Sequence, residues 1–406
     1  MKLIIKTIKS LFILLSILIH SNVHSQSWIQ IDDFPATARD DGASFVIGNT
    51  AYCGTGFKVG WVEAKDFQSL NMSTDTWSTI ASLPSGEERQ YASGFSSATD
   101  GFIFGGLKSG DYLDDIWMYN PVNDNWTEKT PLPDAGRRGA ASFVIDDIAY
   151  IIGGNTISTE AISEVWAYNM STDSWQQKSD FPFGALYRGS ASAHNNRGYL
   201  TFGKDENNNF NNKLYEYDPV TDTWTLKSEF PLEGRVHSSL NTISDKLFIS
   251  CGRDTNSNYF NDLWSFSLID LTWEQLVSIP SVERRGGMSF NNGTNLYYTA
   301  GLDPINTRLK ETWKCVRPLN IKNEIQKIEL TLYPNPSADV INLELTDFIS
   351  NQKYELSIVD SFGKEIMNKA IFENKSEIDI SQLAKGIYFV RIQMKESSEV
   401  LKFMKH

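Results

Sequence analysis

Ile148-Ala149-Tyr150-Ile151-Ile152-Gly153-Gly154, then Val165-Trp166-Ala167-Tyr168, then Ser171-Thr172-Asp173-Ser174-Trp175: the reading of this stretch decides the fold. The first run alternates as a buried strand does and stops at two glycines; the second is a short aromatic strand; the third turns the chain into the next tryptophan. Working outward, Trp126 opens the unit, followed by a short strand at Thr127–Lys129 and the turn Pro131-Leu132-Pro133. Arg137-Arg138 comes next, then a strand of small and apolar residues, Gly139 to Ile145, and the turn Asp146-Asp147. Four short strands thus occupy one 49-residue unit, with Gly and Asx at its turns.

The same unit recurs along the chain. Trp28, Trp77, Trp126, Trp175, Trp224 and Trp273 are spaced 49 residues apart, and a second ladder runs through Gln68, Trp117, Trp166, Tyr215, Trp264 and Trp313. Gly56, Gly106, Gly154, Gly203, Gly252 and Gly301 recur with them, each four residues after an aromatic: Tyr52, Phe102, Tyr150, Tyr199, Phe248 and Tyr297. Six copies of a four-stranded unit, each burying its face on the next, predict an all-β chain with a six-bladed β-propeller. The repeat starts on an outer-strand Trp28 and ends on a third-strand Trp313, so the N-terminal strand is expected to complete the last blade and leave no open sheet edge. Asp75, Asp124, Asp173 and Asp222, two residues before a tryptophan, are expected to tighten hairpins as Asx turns.

The order Arg, apolar strand, Tyr-x-x-Gly-Gly and Trp-x-Tyr-Asn/Asp-Pro-x-Thr-Asp-x-Trp resembles the kelch repeat over residues 28 to 316. The double glycine survives only at Gly105-Gly106 and Gly153-Gly154; Thr55, Phe202, Cys251 and Ala300 replace its first member elsewhere.

The ends of the chain read differently. Lys2, Lys6 and Lys9 precede an apolar run from Leu11 to Ile19, and small residues reach Ser25, so residues 1–25 are expected to be a signal peptide. Its removal takes three lysines and no acid, moving the net charge from −13 to −16. So acidic a surface argues against nucleic acid and anionic membranes, and no other segment is apolar enough to span a bilayer. Residues 26–316 form the propeller and 317–327 a polar linker. Alternating stretches at Val340–Leu345, Tyr354–Val359 and Ile387–Gln393 predict a small Ig-like β-sandwich over 328–406. Leu332-Tyr333-Pro334-Asn335-Pro336, Val359 to Lys364, Ile380 to Val390 and Lys402-Phe403-Met404-Lys405 resemble the type A C-terminal sorting domain of the type IX (Por) secretion system of Bacteroidetes. That resemblance implies export across both membranes, contact with the type IX machinery, and a product that is secreted or held at the outer cell surface.

Arg39, Arg89, Arg138, Arg188, Arg235 and Arg285 enter the innermost strands and are candidates for an axial ring that binds acidic peptides or anionic glycans through bidentate bonds. Arginines at this strand bind acidic peptides in some kelch domains, as the resemblance implies. The competing reading pairs each Arg with a neighbouring acid, and Asp66, Asp115, Glu164, Asp262 and Glu311, two residues before the second ladder, are the natural partners; Lys213 is the exception. No cofactor, metal site or catalytic set is expected. A copper-radical oxidase of the galactose oxidase type would need a Tyr-His pair that is absent, and His237 in its inner strand reads as packing. The alternative is a sugar-active enzyme of the N-acetylneuraminate epimerase type, which would recruit Glu87, Glu88, Arg89 or Glu233. The loop Asp205 to Asn212 departs most from the repeat and reads as turn-rich, with Ca²⁺ or a sugar as the functional alternative. Cys53, Cys251 and Cys315 read as small strand residues, with a Cys53–Cys315 bridge as the alternative.

Overall fold

The alternating segments fold as strands. A computed structural model describes residues 26–316, 330–345, 354–361, 363–371, 373–393 and 398–406; the expected signal peptide and linker lie outside them. The chain divides into two units, Met1–Asn320 and Ile321–His406. The described residues form strands and no helix.

The first unit holds six four-stranded antiparallel sheets, five of them in chain order from their first strand outward. Sheet one comprises Ala43–Ile47, Thr50–Gly54, Phe67–Asn71 and Thr76–Ile80; sheet two Ser93–Ser96, Gly101–Lys108, Asp111–Asn120 and Asn125–Lys129. Sheet three comprises Ala141–Ile145, Ile148–Ile152, Val165–Asn169 and Ser174–Gln177; sheet four Tyr187–His194, Arg197–Lys204, Lys213–Asp218 and Thr223–Glu229. Sheet five comprises Ser239–Ile243, Lys246–Ser250, Leu263–Ser267 and Trp273–Leu276. Sheet six takes Met288–Asn291, Leu296–Thr299 and Thr312–Val316 from the end of the repeat and Ser27–Ile31 from its start, with Trp28 opposite Cys315. The six first strands neighbour one another in a closed cycle, the sixth against the first. This is a propeller-like arrangement.

Adjacent sheets are glued by aromatics. Phe45, Tyr52 and Phe67 of sheet one share a core with Ile103, Tyr119 and Trp126 of sheet two, and Phe143 and Tyr150 of sheet three with Tyr217 and Trp224 of sheet four. Each such side chain contributes about 1.5–3 kcal/mol when fully buried. Polar atoms complete the seams. Trp77, Trp126 and Trp175 donate Nε1–H to the carbonyls of Asp32, Ala81 and Thr130 at 2.8–3.0 Å, each 45 residues back, and Trp28 to that of Val277 at 2.7 Å.

One expectation is corrected. Asp124 and Asp173 are not the Asx residues of their hairpins; Asn120 and Asn169 are, accepting from the amides of Val122 and Ser171. The aspartates adopt left-handed backbone and reach the preceding sheet, accepting from the Ala81 and Thr130 amides while Tyr119 and Tyr168 donate to them. The first position of the double glycine is left-handed in every copy, so Thr55, Phe202, Cys251 and Ala300 hold φ of 54–64° that glycine would adopt freely. The three cysteines are free and buried, without a Cys53–Cys315 bridge.

The second unit has a three-stranded sheet (Leu330–Tyr333, Val340–Leu345, Lys375–Asp379) and a four-stranded sheet (Glu365–Ile371, Tyr354–Asp360, Gly386–Gln393, Ser398–Lys405). Both feed one core, with Ile341, Leu343 and Ile378 from the first and Leu356, Ile358, Val390 and Phe403 from the second.

Candidate functional site

Two rows of residues lead into the innermost strands, and they have opposite environments. The outer row is Arg39, Arg89, Arg137, Arg235 and Arg284, each no more than 1% exposed. Each is paired with the acid two residues before the second ladder: Asp66 at 2.6 Å, Asp115 at 2.7 Å, Glu164 at 2.8 Å, Asp262 at 2.7 Å and Glu311 at 2.7 Å. In four sheets the same carboxylate accepts the ladder indole Nε1–H, from Trp117, Trp166, Trp264 and Trp313 at 2.7–3.2 Å. These arginines are buried, ion-paired parts of the frame, although one guanidinium nitrogen each of Arg137, Arg235 and Arg284 has no hydrogen-bond partner.

Two residues farther along lies the axial row: Asp41, Tyr91, Gly139, Arg188, His237 and Gly286. All six have φ between 55° and 63°, a region rare for residues with a Cβ and often kept where function demands it. Their backbones join around the axis, since the amides of Asp41, Tyr91, Gly139, Arg188 and Gly286 donate to the carbonyls of Gly286, Asp41, Tyr91, Gly139 and His237 at 2.7–3.1 Å. The left-handed turn places all six residues against one central cavity. These residues and the small ones that follow (Gly42, Ala92, Ala140, Gly189, Ser238 and Gly287) line an open cavity of about 120 Å³.

One side of the cavity is electrostatically compensated. His237 donates or accepts through Nδ1 to Asp41 at 2.7 Å, and Arg285 lies 3.2 Å from Asp41 and 3.5 Å from Asp40. Arg308 Nε donates to Asp40 at 2.7 Å, its guanidinium stacked on Trp61. Burial, with Arg188 and Arg285 adding to it, pushes the His237 pKa down to about 3, so the ring is neutral and Nδ1–H is the donor. Burial alone would raise Asp41, but His237, Arg285 and Arg188 hold its carboxyl well below the usual range. Burial and the adjacent Asp41 charge push Asp40 up to about 7.

The other side has no direct ion pair, and Asp41 acts on it only across the cavity. The Arg188 guanidinium lies 4.8 Å over the Tyr91 ring and 5.0 Å over Tyr187, with no hydrogen bond or ion pair among the described residues. Arg138 shares the Tyr91 ring at 5.5 Å, stacks on Tyr112 at 5.3 Å, and spends only Nε, on Asn155. Two cations thus bracket one ring with no carboxylate paired to either, and their repulsion falls when an anion enters between them.

The six arginines expected to form one ring do not. Arg39, Arg89 and Arg235 belong to the buried outer row; Arg138 and Arg285 lie one residue beyond it, beside the mouth; Arg188 alone occupies the axial row. The acids expected of an epimerase-type site also lie elsewhere: Glu87 pairs with Arg89 and Lys108, Glu88 with Lys65, and Glu233 accepts from Thr255 and Asn256. Sequence reading missed Asp41, Tyr91 and Arg308 and assigned His237 to packing. A strict 49-residue step from Arg188 reaches Gly139, His237 and Gly286, and that step was the signal.

The model of the Attractin/LZTR1 beta-propeller matches residues 51–256, and that of a secretion system C-terminal sorting domain matches residues 331–406. No curated protein matched. The solved structure of YjhT is similar at 16% identity with a TM-score of 0.59, covering 70% of this chain and 96% of that one, which is a likeness of fold. Residues 331–406 mark the chain for export to the cell surface or beyond. No helix among the described residues is long and apolar enough to cross a membrane.

Proposed function

The chain belongs to the Attractin/LZTR1 β-propeller family, and from that premise we propose that it is a six-bladed kelch propeller working outside the cell as a binding module, delivered by a signal peptide and an Ig-like type IX sorting domain. Its axial cavity holds a carboxylate carried by a protein or glycan partner. The observation that carries this reading is Arg188, a guanidinium held between two tyrosine rings at the axis with no hydrogen bond or ion pair to a carboxylate among the described residues, Asp41 acting on it only across the cavity. Its fork matches a carboxylate in bidentate geometry, and Arg138 across Tyr91 supplies a second positive charge. The test is an array of acidic and neutral glycans and peptides probed with the full chain and with Arg188→Ala. Hits confined to carboxylate-bearing ligands and lost in the variant support the reading; neutral hits that survive in it contradict it.

A sugar-active enzyme of the N-acetylneuraminate epimerase type is the second reading, favoured by the neutral His237 ring and the ionised Asp41 beside Arg188. It requires the protein to speed interconversion of sialic acid anomers followed by NMR, and a rate equal to buffer removes it.

A further inference from the structure

Sheet four breaks the repeat at three linked positions. Where five sheets have a buried arginine it has Leu186; where they have the partner acid it has Lys213; and the ladder residue two farther on is Tyr215. A pocket of about 310 Å³ opens between these substitutions, lined by Leu186, Lys213 and Tyr215 together with Phe181, Phe183 and Lys204, and closed by the loop Asp205 to Asn212. We infer that this lateral pocket is a second binding site, built for a single neutral sugar ring. It shares no lining residue with the axial cavity, so the inference does not rest on the axial reading.

The floor and wall are aromatic and fixed. Phe183 is 48% exposed, yet it is stacked on Tyr215 with ring centres 4.5 Å apart, and Phe181 braces Tyr215 edge-on at 5.0 Å. An exposed ring held by a second ring offers a flat apolar face, the complement of the C–H face of a pyranose.

The rim is polar and organised. Asp205 accepts from the amides of Asn207 and Asn209 and from Asn209 Nδ2, and Asn211 Nδ2 donates to the carbonyls of Phe202 and Lys213. The loop is therefore shaped before any ligand arrives. Glu206 and the Lys213 ammonium make no hydrogen bond or ion pair among the described residues, leaving one acceptor and one donor for hydroxyl groups. Lys204 is held by Glu160 at 3.1 Å, so Lys213 alone faces Asp205 and Glu206 and the rim offers no surplus of positive charge to an anionic occupant; the volume lies at the small end of ligand sites. The connection into this sheet also lacks its usual tie: Trp224 Nε1 is buried without a partner, whereas Trp77, Trp126 and Trp175 bond the carbonyl 45 residues earlier.

The test uses the full chain with methyl β-D-glucopyranoside, methyl β-D-galactopyranoside and N-acetyl-D-glucosamine as probes at about 10 mM, above the millimolar Kd of a weak single-ring contact. Saturation-transfer NMR is expected to show transfer to the C–H protons of one ring face in at least one probe. Phe183→Ala is expected to weaken it at least about tenfold, or about 1.4 kcal/mol. Leu186→Arg/Lys213→Asp, which reinstates the pair found in the other sheets and fills the pocket, is expected to abolish it. Arg188→Ala is expected to leave it unchanged, which separates this site from the axial one. No transfer to any probe, or transfer that persists in Phe183→Ala, overturns the inference; because Phe183 is a surface ring, that outcome holds even if the double variant fails to fold.

Discussion

Arg137 and Arg138 are neighbours in the chain and end in opposite worlds. Arg137 is 1% exposed and locked to Glu164 at 2.8 Å; Arg138 lies at the mouth between two tyrosine rings with most of its guanidinium unspent. The same split separates Arg284, bound to Glu311, from Arg285, beside Asp41. Position in the repeat, and not residue type, therefore separates an arginine that holds sheets together from one available to a ligand.

The sharpest way to break that comparison is to truncate a buried arginine. Arg235→Ala strands Asp262, which is 7% exposed, and is expected to cost about 3–5 kcal/mol in urea unfolding because an unpaired charge stays buried. A loss below about 1 kcal/mol would show that the outer row is not structural. Arg188→Ala strands no carboxylate, so its stability cost is expected to be about 0.5–1 kcal/mol from lost ring contacts. Its binding of a carboxylate ligand should fall by about 1.5–3 kcal/mol, roughly ten- to hundredfold, measured by calorimetric titration.

A pH profile sharpens the axial half. Between pH 3.8 and 6.5 the unfolded chain protonates His237 and the folded chain does not, so this group removes stability as pH falls; Asp40 is protonated in the folded chain only, and adds it. The two oppose each other, so their joint contribution is expected to be nearly flat over that window. In Asp40→Asn the offset is gone, and stability should decline on acidification by up to about 1.4 kcal/mol per pH unit. Parallel profiles for the two proteins would contradict this assignment of charge. The smallest effect concerns sheet four. Trp126→Phe forfeits a bond to Ala81 worth about 0.5–1.5 kcal/mol, whereas the Trp224 Nε1 has no bond to lose. Trp224→Phe should therefore cost less in the same unfolding assay.

Much of this was legible from spacing alone. The two ladders gave the sheet boundaries, the acids before the second ladder are the partners of buried arginines, and Trp28 does sit in the sheet that ends the repeat. The axial row was harder to see for two physical reasons. Its six positions share a backbone conformation and not a residue type, so Asp41, Tyr91, Arg188 and His237 carry no common letter. A one-residue slip in the second copy also offsets Arg89 from the register of Arg137, and the Arg-Arg pairs offer two choices of which only the first is buried. The lateral pocket was visible only as exceptions, Lys213 and the asparagine loop, because a cavity is made by what is missing from a repeat.

The most direct test of the central claim measures carboxylate-ligand affinity and melting temperature together on Arg188→Ala and Arg89→Lys. The expected result is a crossed pattern: Arg188→Ala loses affinity and keeps its melting temperature, while Arg89→Lys loses the two-pronged bond to Asp115, melts lower and keeps its affinity. Affinity that falls in Arg89→Lys and survives in Arg188→Ala would contradict the division between arginines that bind and arginines that hold.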